Sequence, residues 1–88
     1  MSDSEAVNAE IRQVIADHAR LPVNVAGLAD EADLFEAGMS SHASVNLMLA
    51  LEDHFDIEFP DTMLTRAVFA SIGAIEHALL ELQGRAAA

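Results

Sequence analysis

Residues 38–60 of this 88-residue chain read GMSSHASVNLMLALEDHFDIEFP. Apolar residues recur there every three or four positions, which predicts a helix from about Ser41 to Phe55 that ends before the Phe59-Pro60 pair. The first residue of this predicted helix therefore carries a hydroxyl group. Because the first N–H groups of a helix are unpaired and carry a partial positive charge, a phosphate ester at Ser41 would be favoured electrostatically. We interpret Ser41 as a candidate attachment point.

Helix signals flank this segment on both sides. A first helix is predicted to begin near Ser2 or Ser4 and to end before the Leu21-Pro22 pair, and Ser71 is expected to cap a last helix. Between them, Asp61 can cap a short third helix. The pattern predicts an all-α fold, a small four-helix bundle of three main helices plus one short helix. A long ordered loop, over about residues 21–40, is expected between helices one and two.

Length and composition exclude several functions. We expect one domain over residues 1–88, with a core over about residues 4–83 and a frayed tail at residues 84–88. So short a chain lacks room for an independent catalytic cleft, so we expect that it is not an enzyme. Fifteen acidic residues against four arginines give a net charge of -11, which repels nucleic acid and anionic membranes.

Cysteine content and hydropathy indicate where any thiol must come from and where the protein is expected to act. The chain has no cysteine, so any thiol chemistry must come from a prosthetic group. Neither a signal-peptide pattern nor an apolar run of membrane-spanning length is present in the sequence. We therefore expect a cytoplasmic protein, acting as a monomer, whose partners carry basic surfaces.

Two faces of the predicted central helix differ in composition. At about 100° per residue, one arc must face the core and contains Ser44, Leu47, Met48, Leu51 and Phe55. A second arc contains Ser41, Val45, Leu49, Glu52 and Asp53. Apolar side chains between a helix-start hydroxyl and two acids indicate a docking surface, although scattered apolar residues are also common on protein surfaces.

The central segment resembles a known family. Residues 33–41, DLFEAGMSS, followed by Val45, Leu47, ALED at residues 50–53 and Pro60, are similar to the signature of acyl carrier proteins and peptidyl carrier domains. The resemblance covers essentially the whole chain, more weakly in the terminal helices. It implies that Ser41, by its register, is esterified by 4'-phosphopantetheine. The thiol of this arm would carry an acyl or aminoacyl group as a thioester.

Two positions depart from the Asp-Ser-Leu pattern that is common in the family. Ser40 replaces the aspartate and His42 replaces the leucine, so both flank the attachment residue. This variant resembles a smaller group of free-standing carriers that receive an amino acid from a ligase similar to a truncated seryl-tRNA synthetase. The resemblance implies a small cargo such as glycine or alanine. The alternative cargo is a fatty acyl chain, which would need a space lined by Leu47, Met48, Met63, Leu64 and Val68.

The resemblance also implies three partners. They are a phosphopantetheinyl transferase, an amino acid or acyl ligase with a basic surface, and a downstream enzyme that accepts the acyl group. We expect docking to involve Val45, Leu49, Glu52, Asp53 and Asp56. The acids of this set, with Glu58 and Asp61 beyond them, would steer basic partners electrostatically, or would only keep the surface solvated.

Other interpretations have weaker support. The histidines at positions 18, 42, 54 and 77 fit no zinc spacing, so we expect no metal, and we expect His18 and His77 to be partly buried structural residues. Ser41 and His42 would point about 100° apart on a helix, which disfavours a nucleophile and its base. The alternative from a different class is an acidic helical interaction module without a prosthetic group, which would use Val45, Leu49 and the acids directly.

Overall fold

The structure, a computed structural model, describes residues 3–19 and 21–83. It contains three α-helices: α1 (Asp3–His18), α2 (Ser41–Phe55) and α3 (Ile72–Leu82). Two single-turn 3₁₀ helices, Val25–Gly27 and Asp61–Met63, lie in the connections between them. No strand occurs in the two described ranges, so the predicted all-α class is confirmed. The expected helix start at Ser2 and the expected tail at residues 84–88 lie outside the described residues.

The predicted count of four helices is not confirmed. The segment Asp61–Met63 forms one 3₁₀ turn, closed by bonds from the Met63 amide to the Pro60 carbonyl at 2.8 Å and from the Leu64 amide to the Asp61 carbonyl at 3.1 Å. Pro60, and not Asp61, occupies the cap position, and no side chain caps the turn. Because starting a helix is costly and a short segment adds few bonds to offset that cost, the turn stays 3₁₀.

One apolar core lies between the three α-helices. Helix α1 packs against both α2 and α3. Its buried residues Val7, Ile11, Val14 and Ile15 follow helical spacing, which is why the sequence forms an amphipathic helix here. Other fully enclosed side chains are Leu34, Leu47, Leu51, Ile72, Ile75 and Leu79. Within the described part of the chain every buried residue is apolar, so burial of apolar surface is the main stabilising term. In the same part, no helix is long and apolar enough to cross a membrane.

Helix α2 has the predicted bounds. Leu47 and Leu51 are fully buried, and the other predicted core-facing side chains of this helix are half-buried. The helix ends at Phe55, and the capping residue that follows it, Asp56, adopts a left-handed conformation with φ 53° and ψ 53°. The next amide, that of Ile57, donates to the Glu52 carbonyl at 3.1 Å, so the last turn is closed in the manner of a Schellman motif.

A single arginine orders the connection that precedes α2. Arg12 on α1 donates to the carbonyl oxygens of Val25 and Leu28, both at 2.8 Å, and to the Asp30 carboxylate at 2.7 Å. The Asn8 side-chain amide donates to the same carboxylate at 3.0 Å. The bond from Asn8, together with the bond and the charge of Arg12, lowers the pKa of Asp30 despite partial desolvation. The connection is thereby fixed to α1.

Candidate functional site

The start of α2 exposes two serines in different roles. Ser40 is the N-cap, and its Oγ accepts a hydrogen bond from the Ala43 amide at 3.0 Å. The Ser44 amide donates to the Ser40 carbonyl at 3.0 Å, which is the first bond of the helix. Ser41 is the first helical residue, and its side chain is exposed. The amides of Ser41 and His42 lie in the first turn of α2, where an N–H group has no hydrogen-bond acceptor within the helix. They therefore form part of the positive end of the helix dipole.

The backbone that leads into α2 is held tightly. The Leu34 amide donates to the Ala70 carbonyl at 2.6 Å, and the Met39 amide donates to the Leu34 carbonyl at 3.0 Å. Gly38 lies between these anchors with φ +119°, and a Cβ atom there would lie 2.7 Å from Cδ of Pro22. Only glycine fits this conformation and this close approach. The position of Ser41 is therefore set by the whole loop and not by α2 alone.

A pocket of about 470 Å³ adjoins Ser41. Its apolar wall is formed by Phe35, Val45, Met48, Leu64 and Phe69. Its polar residues are Ser41, Ser44, Thr65 and Arg66. The guanidinium carbon of Arg66 lies 4.0 Å from the centroid of the Phe35 ring, which is a cation–π contact. The pocket thus combines an apolar wall with hydroxyls and one positive charge.

The pocket beside Ser41 coincides only in part with the apolar space expected for a fatty acyl chain. Of the five residues expected to line such a space, Met48 and Leu64 line the pocket. Leu47 is fully buried in the core, and Met63 and Val68 are half-buried against that core. The difference arises because the segment after α2 packs Met63 and Val68 inward, which helical periodicity in α2 does not reveal.

The apolar residues of the expected docking surface are accessible. Val45 is 51% exposed and Leu49 is 54% exposed, a large fraction for side chains of this kind. Leu49 also borders a second groove of about 390 Å³ between α1 and α2, together with His18 and Asn46. Two exposed apolar side chains therefore lie one and two turns along α2 from Ser41.

The acids of the expected docking surface differ in their surroundings. Asp53 and Asp56 are exposed. Glu52 is half-buried, and its Oε2 accepts a hydrogen bond from the Phe59 amide at 2.9 Å. One of the expected docking acids is therefore also a structural residue. Sequence reasoning missed this bond because it joins a helix to an irregular segment, where no periodicity indicates a partner.

The expectation of partly buried structural histidines is wrong for both residues named. His18 is exposed at the last residue of α1 and borders the groove beside α2, and its neighbour Ala19 is the buried residue there. The His77 side chain is 77% exposed and faces Glu81 at 3.8 Å, because the buried residues of α3 lie on its other side. His42 is exposed beside Ser41, and His54 Nε2 lies 3.2 Å from the Glu10 carboxylate. Among the described residues, no three histidines or acids are grouped to hold a metal ion.

Arg66 and Phe35 are pocket residues that sequence reasoning did not predict. Phe35 belongs to the DLFEAGMSS segment, but no pattern in that segment indicates that its ring lines a pocket. A signal for Arg66 does exist in the composition, since it is one of four arginines in a chain without lysine. Its nearness to Ser41 depends on how the segment after the Asp61–Met63 turn returns across α2.

These features define a class of protein. A small helical fold with an exposed serine at the start of its central helix, beside an open pocket, is that of a carrier domain, and its residues fit a phosphodiester-linked arm. The chain belongs to the phosphopantetheine attachment family, whose model, described as phosphopantetheine attachment site, matches residues 9–79. The protein is accordingly a carrier on which partner enzymes act, and not itself an enzyme.

Known proteins similar to this chain are also carriers. The aminoacyl carrier protein of Agrobacterium fabrum (strain C58) is 55% identical over 83 residues, covering 93% of this chain and 100% of that protein. A crystal structure of engineered Bradyrhizobium japonicum glycine:[carrier protein] ligase complexed with carrier protein from Agrobacterium tumefaciens and ATP contains a chain that is 56% identical, with a TM-score of 0.81. That match covers 83% of this chain and 95% of the other.

A solution structure is known for a third similar protein. The solution structure of a protein from Agrobacterium tumefaciens is 56% identical to this chain, with a TM-score of 0.68. The match covers 92% of this chain and 99% of that one. Similarity therefore extends over nearly the whole length of each protein.

Proposed function

We propose that this chain carries a small aminoacyl group as a thioester on a 4'-phosphopantetheine arm attached to Ser41. The observation that carries the proposal is the position of Ser41, an exposed hydroxyl on the first residue of α2, inside the range that the attachment family model matches. A serine in a buried or mid-helix position would be unsuited to this role. The similarity to an aminoacyl carrier protein supports an aminoacyl cargo.

The residues at the helix start suit a phosphodiester. Its negative charge would lie against the unpaired amides of the first turn and the positive end of the helix dipole. The arm, when present, supplies the thiol that forms the thioester, a group that the cysteine-free chain itself lacks. The role of the protein is then to present the tethered thioester at a high effective concentration to each docked enzyme.

The neighbouring Ser40 is a less suitable attachment residue. Its Oγ already accepts a hydrogen bond from the Ala43 amide. An ester on that oxygen would disturb the cap, and loss of an N-cap costs about 1 kcal/mol. Ser41 makes no such contribution to the helix start, so its hydroxyl can be modified without weakening the fold.

The proposed partners dock on the exposed face of α2. Val45 and Leu49 would contact the partner directly, and Asp53 and Asp56 would steer its basic surface, with Glu52 adding charge from its half-buried position. We expect a phosphopantetheinyl transferase, an amino acid ligase and a downstream acceptor to use this face in turn, in the cytoplasm. The ligase in the complex with a similar carrier supports the second of these partners.

The cargo we favour is glycine or alanine. The enzyme bound to the similar carrier from Agrobacterium tumefaciens is a glycine:[carrier protein] ligase, which supports glycine. A fatty acyl chain is the second candidate, and the observation in its favour is the apolar wall of the pocket beside Ser41. The interaction module without a prosthetic group is set aside, because the chain belongs to an attachment family.

Intact-mass analysis tests the attachment residue. The wild-type chain, Ser41→Ala and Ser40→Ala would each be incubated with an active phosphopantetheinyl transferase and coenzyme A. We expect one arm on the wild type and on Ser40→Ala, none on Ser41→Ala, and a peptide map that assigns the arm to residue 41. An unmodified wild-type chain, with the transferase active on a control carrier, would refute the proposal.

A loading assay tests the cargo. The holo protein would be incubated with ATP, a glycine:carrier protein ligase and either glycine or alanine, and the thioester would be detected by mass and by its release with hydroxylamine. We expect loading of at least one of these amino acids. Efficient loading of long fatty acids by an acyl ligase, with no loading of either amino acid, would establish the fatty acyl alternative.

A further inference from the structure

The pocket beside Ser41 differs in charge from the rest of the molecule. The chain carries a net charge of -11. Of the described residues that line this pocket, none is acidic and Arg66 is the charged one. The pocket that Ser41 lines therefore holds a positive charge on a molecule whose net charge is strongly negative. A phosphodiester on Ser41 would be repelled by the molecule as a whole and attracted at this pocket.

Arg66 is held in place and its charge is available. Its guanidinium carbon lies 4.0 Å from the centroid of the Phe35 ring, which limits the orientations of a long side chain. Among the described residues, the basic side chains within salt-bridge distance of a carboxylate are those of Arg12, His54 and His77, and Arg66 is not one of them. Arg12, in contrast, is fully engaged with the loop through Val25, Leu28 and Asp30.

We propose that Arg66 is the positioning residue for the prosthetic arm: its guanidinium pairs with the phosphodiester on Ser41 and holds the first part of the arm along the apolar wall of the pocket. This inference rests on the proposed attachment at Ser41. Guanidinium groups are suited to this contact because their planar donors match phosphate oxygens. Met48 and Leu64 on the pocket wall would contact the uncharged part of the arm.

The lining of the pocket disfavours the loaded end of the arm. An aminoacyl thioester ends in an α-ammonium group, which the apolar wall would desolvate and which no acidic residue of the lining would pair. The aminoacyl group should therefore remain in solvent, where a docked enzyme can reach it. An uncharged acyl chain would meet no such desolvation cost.

Phosphorus and nitrogen NMR of the holo protein test this contact. The ³¹P resonance of the arm and the Nε–Hε cross-peaks of the arginines would be recorded for the apo and holo wild type, at low and at high salt. Arg66→Lys identifies the Arg66 cross-peak, and Arg12 is the internal control. Two holo variants would be compared, Arg66→Gln and Asn46→Asp. Both make the net charge more negative by one, and Asn46 is exposed and lies outside this pocket.

The contact predicts a specific set of shifts. Addition of the arm should shift the Arg66 cross-peak and leave that of Arg12 unchanged, and high salt should reduce the shift. Arg66→Gln should narrow and shift the ³¹P line, and Asn46→Asp should not. If the arm is verified by mass on Ser41 and the ³¹P spectra of the wild type and Arg66→Gln are equal, the role of Arg66 is refuted and the attachment at Ser41 stands. The same conclusion follows if Arg66→Gln and Asn46→Asp change the ³¹P line equally. Absence of an arm on the wild type would overturn both this inference and the proposed function.

Discussion

Glu52 and Phe59 are joined by a hydrogen bond of 2.9 Å from the Phe59 amide to the Glu52 carboxylate. The bond folds the segment that leaves α2 back against the end of the helix. There the Phe59 side chain is buried, and its ring meets the Phe69 ring edge-on at a centroid distance of 5.2 Å. An acid expected to face a partner therefore also secures a core residue.

Removing this carboxylate should lower the stability of the protein. Glu52→Ala leaves the Phe59 amide without its acceptor in a partly buried position, so we expect a loss of about 1.5 kcal/mol in the free energy of unfolding. Urea denaturation followed by circular dichroism measures this loss. Asp53→Ala is the matched control, because Asp53 is exposed and its replacement should change stability by less than about 0.5 kcal/mol. Equal effects of the two changes would contradict the structural role of Glu52.

Reversing a charge at Asp53 should slow charging by the ligase in a salt-dependent way. Asp53→Lys keeps the Glu52–Phe59 bond, so the fold is not weakened, but it repels a basic partner surface. The initial charging rate should fall at about 0.01 M salt and approach the wild-type rate at about 0.15 M or above, because the screening length shrinks from about 30 Å to about 8 Å. Glu81→Lys, on the exposed side of α3, makes the same change in net charge away from α2. A rate unaffected at both salt concentrations would mean that Asp53 is only solvated surface.

Replacing Gly38 should destabilise the approach to α2. Gly38→Ala introduces a Cβ atom at 2.7 Å from Cδ of Pro22 and forces alanine to adopt φ +119°, so we expect a loss of about 2 kcal/mol or more in thermal or urea unfolding. Gly27→Ala is the matched control. A Cβ atom at Gly27 meets no atom within 4 Å, so this change should be neutral or slightly stabilising. If both variants unfolded alike, the close approach of Gly38 to Pro22 would be ruled out.

The cluster around Asp30 should make stability depend on pH in the acid range. The pKa of Asp30 is lower in the folded protein than its ordinary value of 3.8. The associated stabilisation is therefore fully present above about pH 4 and is lost as the pH falls through the folded pKa. Asp30→Asn should be less stable than the wild type at neutral pH and should approach it in acid. Glu31→Gln is the charge-matched control, and urea titrations from pH 7 down to pH 3 provide the comparison. A stability difference that stays constant over this range would contradict the assignment.

Local signals in the sequence are enough to predict the bounds of α2 and the start of α3. The bounds of α2 follow from the spacing of its apolar residues and from the Phe59-Pro60 pair beyond its end. Ser71 caps α3 as expected, with its Oγ accepting from the Ala74 amide at 3.1 Å. Both features depend on residues a few positions apart, so no knowledge of the tertiary fold is needed.

The parts that the sequence does not predict depend on contacts distant in the chain. Arg12 binds a loop 13 to 18 residues away, and no motif indicates that pairing. The Phe35–Arg66 contact joins two connecting segments. His18 is exposed although its neighbour Ala19 is buried, so its surroundings depend on how α1 packs against the other helices, which helical spacing alone does not fix. The pocket beside Ser41 is formed by such contacts, so its shape and charge emerge only from the folded chain.

The cap at Ser40 shows how the start of α2 tolerates a change of chemistry. The pattern that is common in the family has an aspartate at this position, and an aspartate, like Ser40, can offer an oxygen to the Ala43 amide. The exchange therefore preserves the geometry of the helix start but deletes one negative charge immediately before Ser41. Two carriers that are superimposable here would still differ electrically at this point, so an enzyme could tell them apart by a single unit of charge.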